Sequence, residues 1–252
     1  MLSSCAAVAV VLVVPASATT LNAQAATWPQ HSLERPKPLV EVAPPQQLPV
    51  AAPAGAIVLF NGGDLSWWQS GDGEAAKWRV VDGAFEVVPG AGAIKTRVGF
   101  GDVRLHIEWM SPASAKGEGQ NRGNSGVFFQ QTYEVQVLDS YKNDTYADGQ
   151  AGSIYGQFPP RVNVTRPPGE WQSYDIEFRR PRFDEAGKLV SPARLTVRHN
   201  GVLVQDNVAL LGPTSHTVRA PYAAHADELP ISLQDHGHPV RFRNVWVQAL
   251  GK

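Results

Sequence analysis

One cysteine, Cys5, stands among 252 residues, and it lies in the first apolar stretch. A mature chain cut after that stretch would hold no disulfide, no thiolate metal site and no thiol nucleophile. An excess of positive charge is also missing. The 22 Lys and Arg are matched by 23 Asp and Glu for a formal net charge of -1, and the basic residues are scattered, which removes the footprint of a nucleic-acid binder. Helical periodicity is absent beyond the N-terminus. So are a phosphate loop, a dinucleotide fingerprint, a serine nucleophile elbow and a compact His/Asp metal motif. No apolar run is long enough for a comfortable bilayer span.

What is present reads as all-β. The 43% hydrophobic content can fill one sizeable core, and 23 Gly with 20 Pro supply many turns. Leu2 to Ala18 is apolar, with Ala16-Ser17-Ala18 as a small-residue cleavage site. Residues 1–18 are therefore expected to be a secretory signal, and the protein to be exported to periplasm or exterior. The basic n-region is missing, so an upstream start would make Leu2-Ser3-Ser4-Cys5 a weak lipoprotein box with Cys5 lipidated. Residues 19–55 follow as a spacer or strap, in which Pro29, Pro36, Pro38, Pro44, Pro45, Pro49 and Pro53 favour extended chain and deny a sheet its donors. The folded domain is expected over 56–252.

Strand signals then come regularly. Ala56 to Phe60 is a short apolar run, and Trp78 to Val81 and Ala84 to Val88 flank the turn Asp82-Gly83. Val103 to Met110 alternates, with Leu105, Ile107 and Trp109 on one face and Arg104, His106 and Glu108 on the other. Two strands are expected within Asn124 to Ser140 and another over Trp171 to Phe178. Arg194 to His199 and Val202 to Gln205 flank Asn200-Gly201, a strong hairpin signal. Leu210 to Asp227 reads as a long connection, and Pro230 to Gln234 and Val240 to Gln248 as strands. Roughly a dozen short strands without a fixed repeat predict a β-sandwich or jelly roll of two antiparallel sheets.

The polar residues inside these runs are the functional candidates. Glu134 and Gln136 share a strand face, whereas Asp139 joins them only across a bulge. A retaining glycosidase needs two carboxyls about 5 Å apart, and Gln136 stands where a second acid would be expected. Gln234-Asp235-His236-Gly237 forms a second cluster, in which His236 beside a carboxylate can serve as acid or base, while Asp235 equally fits a turn cap. Glu108 on the polar face of its strand, Asn124 before a turn, and Tyr155 or Trp68 as stacking platforms are further candidates for sugar contact. Arg243 is a candidate anchor. A divalent metal ion held by Glu134, Asp139 or His236 is left open, and no other cofactor is implied.

GNSGVFFQ, YEVQVLDSY, DGQAGSIYGQ, PPGEWQSYDIEFR, HNGVLVQDN and LQDHGHPVRFRNVWV occur in this order. Together they resemble the 3-keto-disaccharide hydrolase domain family over about Ala56 to Leu250. The resemblance implies a concanavalin A-like jelly roll in an exported bacterial protein acting on a small-molecule sugar. It further implies cleavage of 3-keto-glycosides through elimination and hydration, with Glu134 or His236 as base, Asp139 or Asp235 as acid or orienter, and Gln136 with Arg243 as binders. A non-catalytic, lectin-like carbohydrate-binding module on the same scaffold is the alternative.

Overall fold

The computed structural model describes residues 28–114 and 116–251. The apolar segment 1–18 and Cys5 lie outside the described residues. Two antiparallel sheets pack face to face. The larger has eight strands, ordered Val202–Ala209, Arg194–His199, Gln172–Arg179, Val103–Met110, Arg241–Ala249, Ala84–Glu86 and Arg79–Val81, with Ile57–Phe60 also paired to Arg241–Ala249. The smaller has five, ordered Trp68–Ser70, Ile94–Thr96, Ser232–Leu233, Ser125–Phe129 and Tyr133–Val137. Apart from two single-turn 3-10 segments, Gly119–Asn121 and Ala147–Gly149, the described residues hold no helix. None of it is long and apolar enough to cross a membrane.

Alternation sorts the side chains. Leu105, Ile107 and Trp109 from the larger sheet meet Val127, Phe129, Tyr133 and Val135 from the smaller in one buried core. Phe129 stacks on Phe178 across that interface at 4.8 Å. The Tyr174 hydroxyl donates to the Gln136 carbonyl at 2.7 Å, tying the sheets where an unpaired hydroxyl would be costly. Two hairpins turn through residues at positive φ: Asp82 and Gly83 at 51° and 71°, Asn200 and Gly201 at 50° and 81°. Asn, Asp and Gly tolerate that conformation best, which is why these dipeptides mark the turns.

Trp68 departs from its reading as a sugar platform. It is fully buried, and its indole donates to the Leu59 carbonyl at 3.1 Å. Residues 28–55 run as an extended strap. Leu39–Val40 pairs in parallel with Val162–Asn163. Further along, Gln46 accepts from the Ser173 hydroxyl, and the backbone of Val50 meets Glu108 and Asn244 on the outer face of the larger sheet.

Candidate active site

Because Tyr133, Val135 and Val137 point into the core, Glu134 and Gln136 must point outward from the smaller sheet. Register places Phe128 opposite Glu134, Gly126 opposite Gln136, and Val127 opposite Leu233. The Gln234 amide donates to the Gly126 carbonyl at 3.1 Å, and the Ser125 hydroxyl donates to the Gln234 carbonyl at 2.7 Å. The row across three strands is therefore Gln234, Gly126, Gln136. A side chain at Gly126 would fill the space between the two glutamines, since a Cβ there would lie 2.8 Å from the Phe128 ring and would overlap the Glu134 carboxyl. Glycine keeps this floor open.

A cavity of about 530 Å³ stands over that floor, lined by Asn124, Glu134, Gln136, Tyr146, Tyr155, His216, Gln234 and His236 among others. The interrupted stretch after the Tyr133–Val137 strand forms one wall. Ile154 bridges to Val135, and the Tyr155 amide donates to the Glu134 carbonyl at 3.3 Å. The Tyr146 and Tyr155 hydroxyls are 2.7 Å apart, and that of Tyr155 is 3.1 Å from His216 Nδ1. Thr214 pins the connection that carries His216, accepting from the Glu134 amide at 3.0 Å and donating to the Thr132 carbonyl at 2.9 Å.

Glu134 is the only carboxylic acid among the lining residues. No described residue donates a hydrogen bond to its carboxyl, and burial pushes its pKa up to about 8. His236 stands exposed at the rim, and it is moved the other way, first by partial desolvation and further by the neighbouring His238 and His216, against the opposing pull of its backbone bond and Asp235. At neutral pH the cavity therefore holds a largely protonated acid and a neutral imidazole. Burial is also the first cause of the raised Tyr146 and Tyr155 values, which keeps both hydroxyls as donors.

Three amide oxygens here have no partner: Asn124 Oδ1, Gln136 Oε1 and Gln234 Oε1. Two are held in that orientation by their own amide nitrogens. Gln136 donates to Gln120 Oε1 and the Gly149 carbonyl, and Asn124 donates to the Gln120 carbonyl. A buried acceptor left unsatisfied costs about 1–3 kcal/mol, so the cavity presents acceptors where hydroxyl donors would be favourable.

Glu134, Gln136, Asn124, Tyr155, Gln234 and His236 thus meet in one place, and besides Trp68 four other candidates do not. The strand pairs in regular register without a bulge, so Asp139, five positions beyond Glu134, falls on the opposite side. There Arg122 Nε donates to it at 2.7 Å, and it is fully buried. Asp235 caps backbone amides of Gly92 and Gly237, both at 2.9 Å. Glu108 and Arg243 pair with each other at 2.7 Å on the outer face of the larger sheet, across the sandwich from the cavity. Arg243 also covers the Trp171 ring at 4.0 Å. Among the described residues no group of three or more His, Cys, Asp or Glu is arranged to hold a metal ion. Of Glu134, Asp139 and His236, the residues considered for a metal, Asp139 is buried against Arg122 and away from the other two.

Sequence reasoning missed Phe128, Tyr146, Thr214 and His216. Phe128 was legible, since alternation with Val127 and Phe129 puts it on the Glu134 side. Tyr146, Thr214 and His216 lie in connections without periodicity, where no local pattern says which way a side chain faces.

The chain matches the family model of the 3-keto-alpha-glucoside-1,2-lyase-like domain over residues 55–248. Among solved structures it is similar to a Parabacteroides distasonis protein provisionally named a glycosyl hydrolase, with 48% identity, 79% of this chain and 85% of that chain covered, and a TM-score of 0.76. A second protein of the same organism and provisional name shares the fold at 21% identity, with 78% and 94% covered and a TM-score of 0.56. No curated protein matches the chain.

Proposed function

The chain belongs to the 3-keto-alpha-glucoside-1,2-lyase-like domain family, and on that premise we propose that it is an exported, carbohydrate-active enzyme cleaving 3-keto-glycosides by elimination and rehydration. One observation carries the reading: a cavity with a single carboxyl, held near neutral pKa, among unsatisfied amide acceptors. A paired-acid glycosidase needs a second carboxyl across the scissile bond. Elimination needs one base, one acid and a donor for an enolate. The apolar segment Leu2 to Ala18 supports export.

In this reaction a ketone at C3 of the glycosyl unit acidifies the hydrogen on C2. Neutral His236 takes that proton, and the C–H electron pair forms an enolate whose oxygen is met by the Tyr146 and Tyr155 hydroxyls. The pair then moves to C1–C2 and expels the C1 oxygen, which takes the proton of the Glu134 carboxylic acid. Water adds next: Glu134, now a carboxylate, accepts a proton as hydroxide bonds to C1, and protonated His236 returns its proton to C2. The environments that push Glu134 up and His236 down are what assign the acid and the base. Asn124, Gln136 and Gln234 accept from the sugar hydroxyls.

The test is to incubate the purified protein with a 3-keto-disaccharide and with its unoxidised parent and follow released sugar. Cleavage of the ketone alone is the expected result. Cleavage of both would return the site to ordinary hydrolysis. Sugar binding without turnover, undiminished in Glu134→Gln, would make the protein a lectin-like module.

A further inference from the structure

The family match begins at residue 55, but one wall of the cavity is braced from upstream of it. We propose that Gln30 and His31, in the strap preceding the matched domain, form a positioning element of the active site that fixes Tyr155 and His216. The proposal rests on the function given above for that cavity.

The wall needs bracing because the connection carrying Thr214, Ser215 and His216 contains no strand. Thr214 is pinned to the sheet, but the next two residues are held by the strap. The Gln30 side chain donates to the Ser215 carbonyl, and His31 Nε2 lies 3.0 Å from the His216 carbonyl. The His31 ring packs 4.2 Å from Tyr146, 5.1 Å from Tyr155 and 5.0 Å from His216, centroid to centroid. It therefore stands behind the three side chains whose polar tips form the Tyr146, Tyr155 and His216 hydrogen-bonded series.

The brace is itself anchored. Fully buried Asp148 accepts from the His31 backbone amide at 3.2 Å and lies 3.4 Å from His31 Nδ1. Arg35 reaches the same carboxylate at 3.7 Å and donates to the Gln157 carbonyl at 3.1 Å. Asp148 and Gln157 flank Tyr155 in sequence, so strap and aromatic wall share one set of anchors. A carboxylate at the bottom of such a cluster would be costly without these partners.

Three variants of the full chain test this by backbone hydrogen exchange and steady-state kinetics on a 3-keto-disaccharide. His31→Ala is expected to speed exchange at residues 213–217 about 10-fold, since a connection without strands opens once its clamp is lost. It should lower kcat about 10-fold with KM nearly unchanged, because the misplaced groups act on the reacting centre. His31→Phe, which restores the ring but not the bonds, should recover part of the kcat. Gln46→Ala, which loosens the strap over the other sheet, should move neither reading. Unchanged exchange at 213–217 in His31→Ala would overturn the proposal, and so would equal effects from Gln46→Ala. If wild-type protein cleaves no 3-keto-glycoside, the proposed reaction falls, while the exchange comparison still decides whether the strap holds the wall.

Discussion

On the outer face of the larger sheet, fully buried Glu108 accepts from Arg243 at 2.7 Å and from Asn244 and the Val50 amide, both at 2.9 Å, with His106 at 3.5 Å. On the outer face of the smaller sheet, Glu134 is nearly as buried and meets no donor among the described residues. Burial alone pushes both carboxyls up. At Glu108 the bonds from His106, Asn244, Arg243 and Val50 outweigh it and hold the value below the usual range, whereas at Glu134 nothing opposes it. The two histidines differ in the same way: bonds and charge from Asp175 and Glu108 overcome burial and raise His106, while His236 is lowered. The strap supplies a donor to the carboxyl on the first face, through the Val50 amide, whereas on the second it braces the cavity wall and brings no donor to Glu134. Matched carboxylate and histidine pairs thus become a structural rivet in one place and, in the proposed reaction, an acid and base in the other, according to whether donors are supplied.

The strongest way to break this contrast is to neutralise each carboxyl and read activity and stability together. Glu134→Gln should lower kcat/KM about 1,000-fold, within the range of a lost general acid, and leave the fold intact. Retained turnover would remove Glu134 from the chemistry. Glu108→Ala should do the reverse. It leaves Arg243 facing no counter-charge under the strap and His106 with Asp175 alone, and should cost about 3 kcal/mol in denaturant unfolding, with kcat on the folded fraction unchanged. A fall in kcat with full stability would mean that the sealed face also works on the substrate.

Stability against pH sharpens the comparison. His106, raised in the fold, contributes fully below its unfolded value near 6.5, and that contribution fades as pH rises through the folded value. Glu108 and Asp175, both depressed, contribute above their unfolded values and lose that contribution only in acid. Glu134 has the opposite sign: its folded value of about 8 means that the unfolded state sheds the proton first, so a penalty grows from the unfolded carboxyl value up to about pH 8. Wild-type protein should therefore be less stable at pH 8 than at pH 5. Glu134→Gln should recover about 3–4 kcal/mol of that loss, an order-of-magnitude figure at 1.36 kcal/mol per unit. An undiminished decline in the variant would assign the titration to His106 instead.

Most of this scaffold was legible in the sequence, but the contrast between its faces was not. Val103 to Met110 was bounded as observed, because its eight residues give alternation enough repeats to register. Trp68–Ser70 and Ile94–Thr96, three residues each, escaped, and they are strands of the small sheet that carries the site. Alternation correctly put Glu134 with Gln136, and Glu108 opposite Leu105, Ile107 and Trp109. It is silent on which outer face another segment will cover. Glu108 and Arg243 therefore read as cleft residues in the sequence, whereas in the fold Val50 and Asn244 fill the acceptors of Glu108. The side on which Asp139 falls was open for a related reason, since a bulge is a tertiary accommodation that the string E-V-Q-V-L-D can neither require nor forbid.

The mildest test concerns the orphaned acceptors, and Gln234 is the place to make it. Gln136 and Asn124 use their amide nitrogens to hold Gln120, so replacing them would disturb the wall as well as the acceptor. Gln234 makes its framework contacts through its backbone, to Gly126 and Ser125, and no partner meets its side-chain oxygen. Gln234→Met keeps length and flexibility while deleting the carboxamide, that oxygen together with its nitrogen. If the oxygen serves the fold, unfolding free energy should fall. If it waits for a sugar hydroxyl, the variant should hold or gain about 1 kcal/mol, since an unsatisfied buried acceptor has gone. KM for the 3-keto-disaccharide should then rise about 5- to 10-fold with kcat nearly unchanged, as expected for an interaction made equally in ground and transition states. Opposite signs for stability and affinity at one residue mark an acceptor kept for its ligand, and the sealed face, where every acceptor on Glu108 is already filled, should yield no such pair of signs.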